Sequence, residues 1–322
     1  MTQTVDTAQG VAKGSPFGAP FDWVYVDDDF VRADDARVSV HASTLSYGTG
    51  TLEGIRACWN DDHQQLYLFE AEAHYRRLHD SARILGLELR PSVDELVETS
   101  AELLRRNDAR CDTYLRPLLF LSGEVLPVRM HDIATRLSIA ATPVAGDYAN
   151  PAGVRCAVSS WRRTPDAVMP NRAKLIGGYV GPALAKTEAA RAGYDEAILL
   201  TVDGYVAEGT TSNIFVRRGD TWLTPPATDD ILEGITRRQV LQLLADARKP
   251  ATQRRIHRSE LYVADEILLC GTASLVVPVV EVDGRQVGDG RPGDDTLDLR
   301  RQLVEAARRD SFGHPEWTTP VY

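Results

Sequence analysis

Met169-Pro170-Asn171-Arg172-Ala173-Lys174-Leu175-Ile176-Gly177-Gly178-Tyr179 sets one lysine among apolar and small residues, after a β-type run and before a helical one. The chain uses lysine only at Lys13, Lys174, Lys186 and Lys249 among its 36 basic residues, so arginine supplies nearly every generic positive charge. Arginine cannot replace an amine that must lose its proton and bond to carbon. Lys13 lies in a tail, Lys186 on a polar helix face and Lys249 beside a proline, all ordinary solvated settings. Lys174 has apolar neighbours, and the glycine pair after it allows close backbone approach. An amine in an apolar cleft has its pKa lowered and attacks carbonyl carbon. The plain alternative is a surface loop lysine. The functional reading is a Schiff-base enzyme, and pyridoxal phosphate is the commonest reason to build one.

Such a cofactor makes two further demands. Its phosphate needs N–H groups, hydroxyls and a cation, best supplied by a helix N-terminus and an arginine fork. Gly234-Ile235-Thr236-Arg237 opens a helical run with chemistry suited to a dianion, and Gly271-Thr272-Ala273-Ser274 is a second small, hydroxyl-bearing segment at a strand end. Arg77 lies just off the apolar stripe of the first helix and offers charge. The pyridine nitrogen needs an acid to keep it protonated. Glu208, in Val206-Ala207-Glu208-Gly209-Thr210-Thr211-Ser212-Asn213, follows a β-type run among small residues. Taken singly, these features have plain readings as an N-cap, a strand end, a solvated arginine and a turn glutamate.

Further out, the chain divides near its middle. Residues 1–20 read as a tail, with neither the basic nor the apolar region of a signal peptide. In 21–144, Trp23 begins a hairpin with its aspartate run at the bend, and IRACWNDDHQQLYLF (55–69) repeats that signature around Asn60-Asp61-Asp62. The period then changes: Tyr75, Leu78, Ala82 and Leu85 share one helical face. A second helix opens at Ser92 with Glu95 three residues on, the spacing of a capping box. TYLRPLLFL and RLSIAATPV are strands. Residues 145–153, rich in Gly, Pro and Asn, form the expected linker. Residues 154–322 mix strands with helices over about 181–192 and 236–246, with tight turns at Asp203-Gly204 and Asp283-Gly284. The expected class is α+β in two domains, without internal repeats.

Composition narrows the function. At 322 residues, 43% hydrophobic and 25% charged, the chain has material for a large core or two smaller ones. A net charge of -10 argues against nucleic-acid or membrane partners, which need a basic face. No apolar run is long enough to span a bilayer. Four scattered cysteines and seven histidines without ligand spacing give neither a disulfide framework nor a metal site, and the plain setting is cytoplasmic with reduced thiols. Gly48-Thr49-Gly50-Thr51-Leu52-Glu53-Gly54 imitates a dinucleotide fingerprint, but its third glycine comes one residue late and β-type segments follow it.

Together these segments resemble the fold-type IV (class IV) pyridoxal-phosphate aminotransferases, and among them the branched-chain amino-acid aminotransferases most closely. The resemblance runs from about residue 22 to residue 291. It is carried by YGTGTLEGIRA (47–57), HYRRLHDSARIL (74–85), TYLRPLLF (113–120), AKLIGGY (173–179), GYDEAILLTVDGYVAEGTTSNIF (193–215), LEGITRRQVL (232–241) and ADEILLCGTASLVVPV (264–279). It implies a small α/β domain plus a larger pseudo-barrel α/β domain binding pyridoxal 5'-phosphate, in a homodimer or higher homo-oligomer. It implies that Lys174 is the catalytic Schiff-base lysine and Glu208 the partner of the pyridine nitrogen. Arg77, Thr211, Ile235, Thr236 and Thr272 would bind the cofactor, with Tyr179 beside its ring. Tyr47, Leu52, Arg56, Tyr114, Arg116 and the Thr272-Ala273 backbone would shape the substrate pocket. The reaction implied moves an amino group from a branched-chain or other apolar amino acid to a 2-oxo acid.

Departures fall where substrate choice is decided. Branched-chain members usually carry an aromatic at the position of Leu52, and neither Ser122 to His131 nor the linker containing Tyr148 matches theirs. Alternatives on the same scaffold are a D-amino-acid or amine transaminase, an aminodeoxychorismate-type lyase, and a cofactor-free binding protein. The LEGIR and TYLRP segments favour the branched-chain type, and the joint presence of Lys174, Glu208 and Arg77 opposes the last.

Overall fold

A computed structural model describes residues 16–144, 150, 152–310 and 313–322. The described residues fall into two compact units: one within Met1–Tyr148, Ala173–Gly177 and Glu305–Tyr322, the other within Ala149–Arg172 and Gly178–Val304. The expected tail and linker lie largely outside the described residues, as does Tyr148.

The first unit contains strands β1 (Trp23–Val26), β2 (Asp29–Arg32), β3 (Gly50–Leu52), β4 (Ile55–Asn60), β5 (Gln65–Phe69), β6 (Thr113–Leu121) and β7 (Thr135–Pro143) and helices α1 (Ser43–Tyr47), α2 (Ala71–Leu85) and α3 (Val93–Arg106). A C-terminal strand, Thr318–Pro320, adds to β5, and the described pairings of this sheet are antiparallel. The first hairpin turns on Asp27 and Asp28, both with positive φ (49° and 70°), a conformation aspartate tolerates better than most residues. Along β6, Thr113, Leu115, Pro117 and Leu119 are buried while Tyr114, Arg116 and Leu118 are half-buried, the period of two of a strand with unlike faces. The buried face meets α2 and α3 through Ile55, Leu68, Tyr75, Leu78, Leu96 and Leu104. Tyr75, Leu78 and Ala82 are buried as their spacing predicts, and Leu85 is half-buried at the helix end. The capping box of α3 is present: Ser92 N donates to Glu95 Oε2 (2.7 Å) and Glu95 N donates to Ser92 Oγ (3.3 Å).

The second unit is built on a mixed sheet of β8 (Val154–Arg162), β9 (Glu196–Leu200), β10 (Val206–Gly209), β11 (Asn213–Arg218), β12 (Thr221–Thr224), β13 (Ala251–Gln253), β14 (Glu266–Gly271), β15 (Leu275–Val282) and β16 (Arg285–Gln286). β8 runs parallel to both β9 and β15, and β12 parallel to β13; the other described pairings are antiparallel. Helices α4 (Val180–Arg191) and α5 (Ile235–Asp246) match their expected spans within one residue. α4 lays Ala185 and Ala189 on Ala197 and Leu199, small side chains that bring helix and sheet close. Asp283 (φ 50°) and Gly284 (φ 74°) make the tight turn between β15 and β16. A final helix, α6 (Asp294–Arg308), was not anticipated from the sequence. The fold class is α+β.

Candidate functional site

In the first unit the segment after Ala173 lies along β3 as a short added strand. Lys174 O accepts from Leu52 N (3.0 Å) and Thr51 Oγ1 (2.8 Å), and Ile176 N donates to Gly50 O (3.0 Å). Gly177 N donates to Gly48 O (3.0 Å), and a Cβ on Gly48 would stand 3.0 Å from Gly177 Cα, so two glycines allow this backbone crossing. From the other side, Lys174 N donates to Ser81 Oγ of α2 (3.1 Å). The lysine's main chain is thus held by both a strand and a helix.

Beside it stands Glu53, wholly buried in the connection from β3 to β4. Arg77 grips it with two bonds, Nε to Oε1 (2.7 Å) and Nη2 to Oε2 (2.9 Å), while His74 Nδ1 approaches Oε2 at 2.7 Å. His74, Arg77 and Ser81 recur at three- and four-residue spacing on one face of α2. Burial alone would raise the pKa of Glu53, but the charges of Arg77 and Lys174 and the Arg77 hydrogen bonds prevail and hold it well below the usual carboxylate range. Burial pushes His74 down to about 4, helped by Arg77 and Lys174 and only partly opposed by Glu53. His74 is therefore neutral near pH 7 and offers Nδ1–H to the carboxylate.

Of the residues expected to shape a substrate pocket, Leu52, Arg56, Tyr114 and Arg116 lie on the same sheet. Arg56 pairs across strands with Tyr114, and Leu52 with Leu118, so these four and Arg116 share the face turned away from α2 and α3. Gly54 is required there, because a Cβ would lie 1.7 Å from the Tyr114 hydroxyl. Arg116 stacks its guanidinium over Tyr114, 5.2 Å from the ring centre. Arg56 is buried and bonds Asp112 (Nη2 to Oδ2, 3.3 Å), which also takes Arg308 (2.7 Å). Tyr47 is exposed and donates its hydroxyl proton to Leu126 O, tying α1 to the unmatched 122–131 loop. Leu52 is buried.

In the second unit Glu208 lies within β10 itself and is buried. Arg163 Nε stands 2.8 Å from its Oε1, while Asn213 Nδ2 (3.1 Å) and Leu232 N (3.2 Å) donate to its Oε2. A guanidinium and two N–H donors around one carboxylate favour its charged form. Asn213 Nδ2 also reaches Leu232 O (2.9 Å), and a Cβ on Gly234 would meet Asn213 Oδ1 at 1.9 Å. The asparagine therefore fixes the entry to α5, where Ile235 and Thr236 are buried in the first turn. The turn at Thr272 and Ala273 passes close to Thr211, since a Cβ on Gly271 would lie 3.2 Å from Thr211 O. Tyr179 closes a short 3-10 turn ahead of α4.

Within the units, then, the structure groups Lys174 with Arg77, Glu208 with the start of α5, and Thr211 with Thr272. Glu53, His74 and Arg163 were not singled out from sequence. Glu53 does leave a trace there, as a lone charge in the run Thr51-Leu52-Glu53-Gly54-Ile55, which is otherwise apolar or small. Lys186 pairs with Glu196 (2.8 Å) and Lys249 with Asp295 (2.6 Å), the ordinary ion pairs expected of surface lysines. Burial raises the Cys58 thiol to about 11 and the Cys270 thiol to about 12, so neither is a ready nucleophile. Among the described residues, no helix is long and apolar enough to cross a membrane.

Comparison with known proteins gives this arrangement its family. Residues 50–282 match the family model described as amino-transferase class IV. Over 302 residues the chain is 42% identical to a protein named probable branched-chain-amino-acid aminotransferase from Aquifex aeolicus (strain VF5), covering 94% of this chain and 97% of that one. It is similar to the crystal structure of branched-chain aminotransferase from the thermophilic archaeon Thermoproteus uzoniensis with norvaline, at TM-score 0.90 and 38% identity, covering 94% and 100% of the two chains. The branched-chain amino acid aminotransferase from Thermobaculum terrenum in its PLP-form matches at TM-score 0.90 and 32% identity, over 94% and 99%. The chain belongs to the class IV aminotransferases and has their two-domain, fold-type IV architecture.

Proposed function

We propose that the chain binds pyridoxal 5'-phosphate and moves the amino group of a branched-chain or other apolar amino acid to a 2-oxo acid, working as a homodimer or higher homo-oligomer. The observation that carries this reading is Lys174, its backbone held by Thr51, Leu52 and Ser81 beside the Glu53–Arg77 pair. The donor set fits the cofactor: an amine for its aldehyde, a buried carboxylate for its pyridine nitrogen, an arginine and a helix N-terminus for its phosphate. When bound, the cofactor supplies a ring that accepts the electron pair released at the substrate's Cα.

With the cofactor bound, Lys174 Nζ would hold it through its aldehyde, and once freed by the amino donor the amine would be the base that takes the Cα proton and hands it back. Glu208, its orientation fixed by Arg163 and Asn213, would pair with the pyridine nitrogen and keep it protonated. Arg77, Thr236 and Thr272 would bind the phosphate, with Tyr179 beside the ring. Leu52, Tyr114 and Arg116 meet the substrate, a polar hydroxyl and a guanidinium near an apolar wall. The branched-chain preference is supported by the names of the relatives and by the intact LEGIR and TYLRP segments.

The test is an absorbance spectrum with a donor screen. A band near about 410–430 nm that borohydride abolishes marks the lysine–cofactor bond. Turnover with L-leucine, L-isoleucine or L-valine and 2-oxoglutarate is the expected result. Turnover confined to D-amino acids or simple amines would move the chain to another branch of the fold, and the absence of both the band and any turnover would leave only a binding protein.

A further inference from the structure

We propose that Glu53 is a positioning residue that aims Arg77 at the cofactor phosphate, an inference that rests on the assignment of Arg77 to that phosphate. The geometry is specific. The fork engages Nε and Nη2 together, which sets the plane of the guanidinium as well as its position. An arginine on a helix otherwise samples many rotamers, and an anion site made from it loses affinity for each conformation that points elsewhere. Glu53 is itself fixed, with no solvent exposure: His74 Nδ1 at 2.7 Å braces Oε2, and Glu53 N donates to Pro117 O at 2.9 Å. The same backbone run, one and two residues earlier, holds Lys174 O, so one segment of chain places both the amine and the arginine.

A buried ion pair is poor evidence of a purely structural purpose, because apolar side chains of similar volume fill such a space at no loss of stability. Two other roles for Glu53 make opposite predictions. If it only neutralised Arg77, its removal would leave a stronger cation and tighter anion binding. If it only filled space, a neutral isostere would leave anion binding unchanged. Positioning alone predicts weaker binding that vanishes when Arg77 is absent.

The experiment measures the affinity of the full-length chain, freed of cofactor, for pyridoxine 5'-phosphate. This probe carries an alcohol in place of the aldehyde, so it reports the phosphate and ring contacts without any bond to Lys174. Glu53→Gln is expected to weaken binding about tenfold, Arg77→Leu at least as much, and the double variant no more than Arg77→Leu alone. Wild-type or tighter binding by Glu53→Gln, or an undiminished loss in the Arg77→Leu background, overturns the proposal while leaving Arg77 on the phosphate. Unchanged binding by Arg77→Leu overturns it together with the assignment beneath it. Should Glu53→Gln fail to fold, Glu53→Asp decides: it keeps the charge but is one methylene too short for the fork, and wild-type affinity in that variant contradicts positioning.

Discussion

Two buried glutamates, one in each unit, are both paired with arginine and yet are held differently. Glu53 has both oxygens engaged by side chains of one helix, Arg77 and His74 on α2, and no solvent exposure. Glu208 draws its partners from three separate stretches of chain, Arg163, Asn213 and Leu232, and keeps 7% exposure. The first arrangement locks a helix side chain in place. The second orients a carboxylate borne within the edge strand β10. Charge and burial are alike, so what separates the two acids is where their partners come from.

The largest effect separating them is on turnover. Glu208→Gln keeps the shape and removes the charge, and it should lower kcat about 10²- to 10³-fold while cofactor affinity falls far less. Steady-state kinetics with a parallel cofactor titration checks this, and unchanged kcat would make Glu208 an ordinary strand residue. Glu53→Ala should instead act on stability, because it leaves the Arg77 charge buried beside Lys174. A loss of about 3 kcal/mol is expected in urea unfolding, and a change under 1 kcal/mol would show that Arg77 readily turns to solvent.

Acid should reach the first unit through His74. Its folded value of about 4 lies below the ordinary 6.5, so the unfolded chain takes up the proton first. The stability it contributes is complete above about pH 6.5 and is lost as the pH falls toward 4, at up to about 1.4 kcal/mol per pH unit. The depressed carboxylate of Glu53 adds a further loss as the pH falls below the ordinary 4.5, in the same direction. In pH-dependent unfolding, His74→Gln should flatten the upper part of that slope by one proton; an identical slope would place the titration elsewhere. The smallest effect concerns substrate choice. Leu52 lies on the sheet face shared with Tyr114 and Arg116, and Leu52→Phe should lower kcat/KM for large donors by about tenfold while sparing valine-sized ones. Equal losses for every donor size would remove Leu52 from the pocket wall.

What could be read in advance follows from range. α2 and α3 were legible because burial repeats every three or four residues and a capping box announces Ser92. Lys174 stood out because arginine replaces lysine almost everywhere else in the chain. α6 was missed although Asp294-Asp295 suit a helix start: its buried stripe, Leu299, Leu303, Ala306 and Ala307, has helical spacing but only two large side chains. Glu53 and Arg163 were missed for another reason. Their meaning lies in partners 24 and 45 residues away in sequence, Arg77 and Glu208, and no local period encodes a pairing across elements. The Glu53-His74-Arg77 cluster is made by the packing of a strand connection on α2, and the order of strands had to be known before it could be seen.

The central claim is that Lys174, and no other lysine, bonds the cofactor. Borohydride reduction of the cofactor-loaded chain followed by peptide mass spectrometry tests it directly. The account predicts a pyridoxyl-phosphate adduct on the peptide containing Lys174 and its absence from Lys174→Ala, with Lys186→Ala and Lys249→Ala labelled and active like wild type. An adduct on Lys186 or Lys249, or reducible cofactor retained by Lys174→Ala, would contradict it.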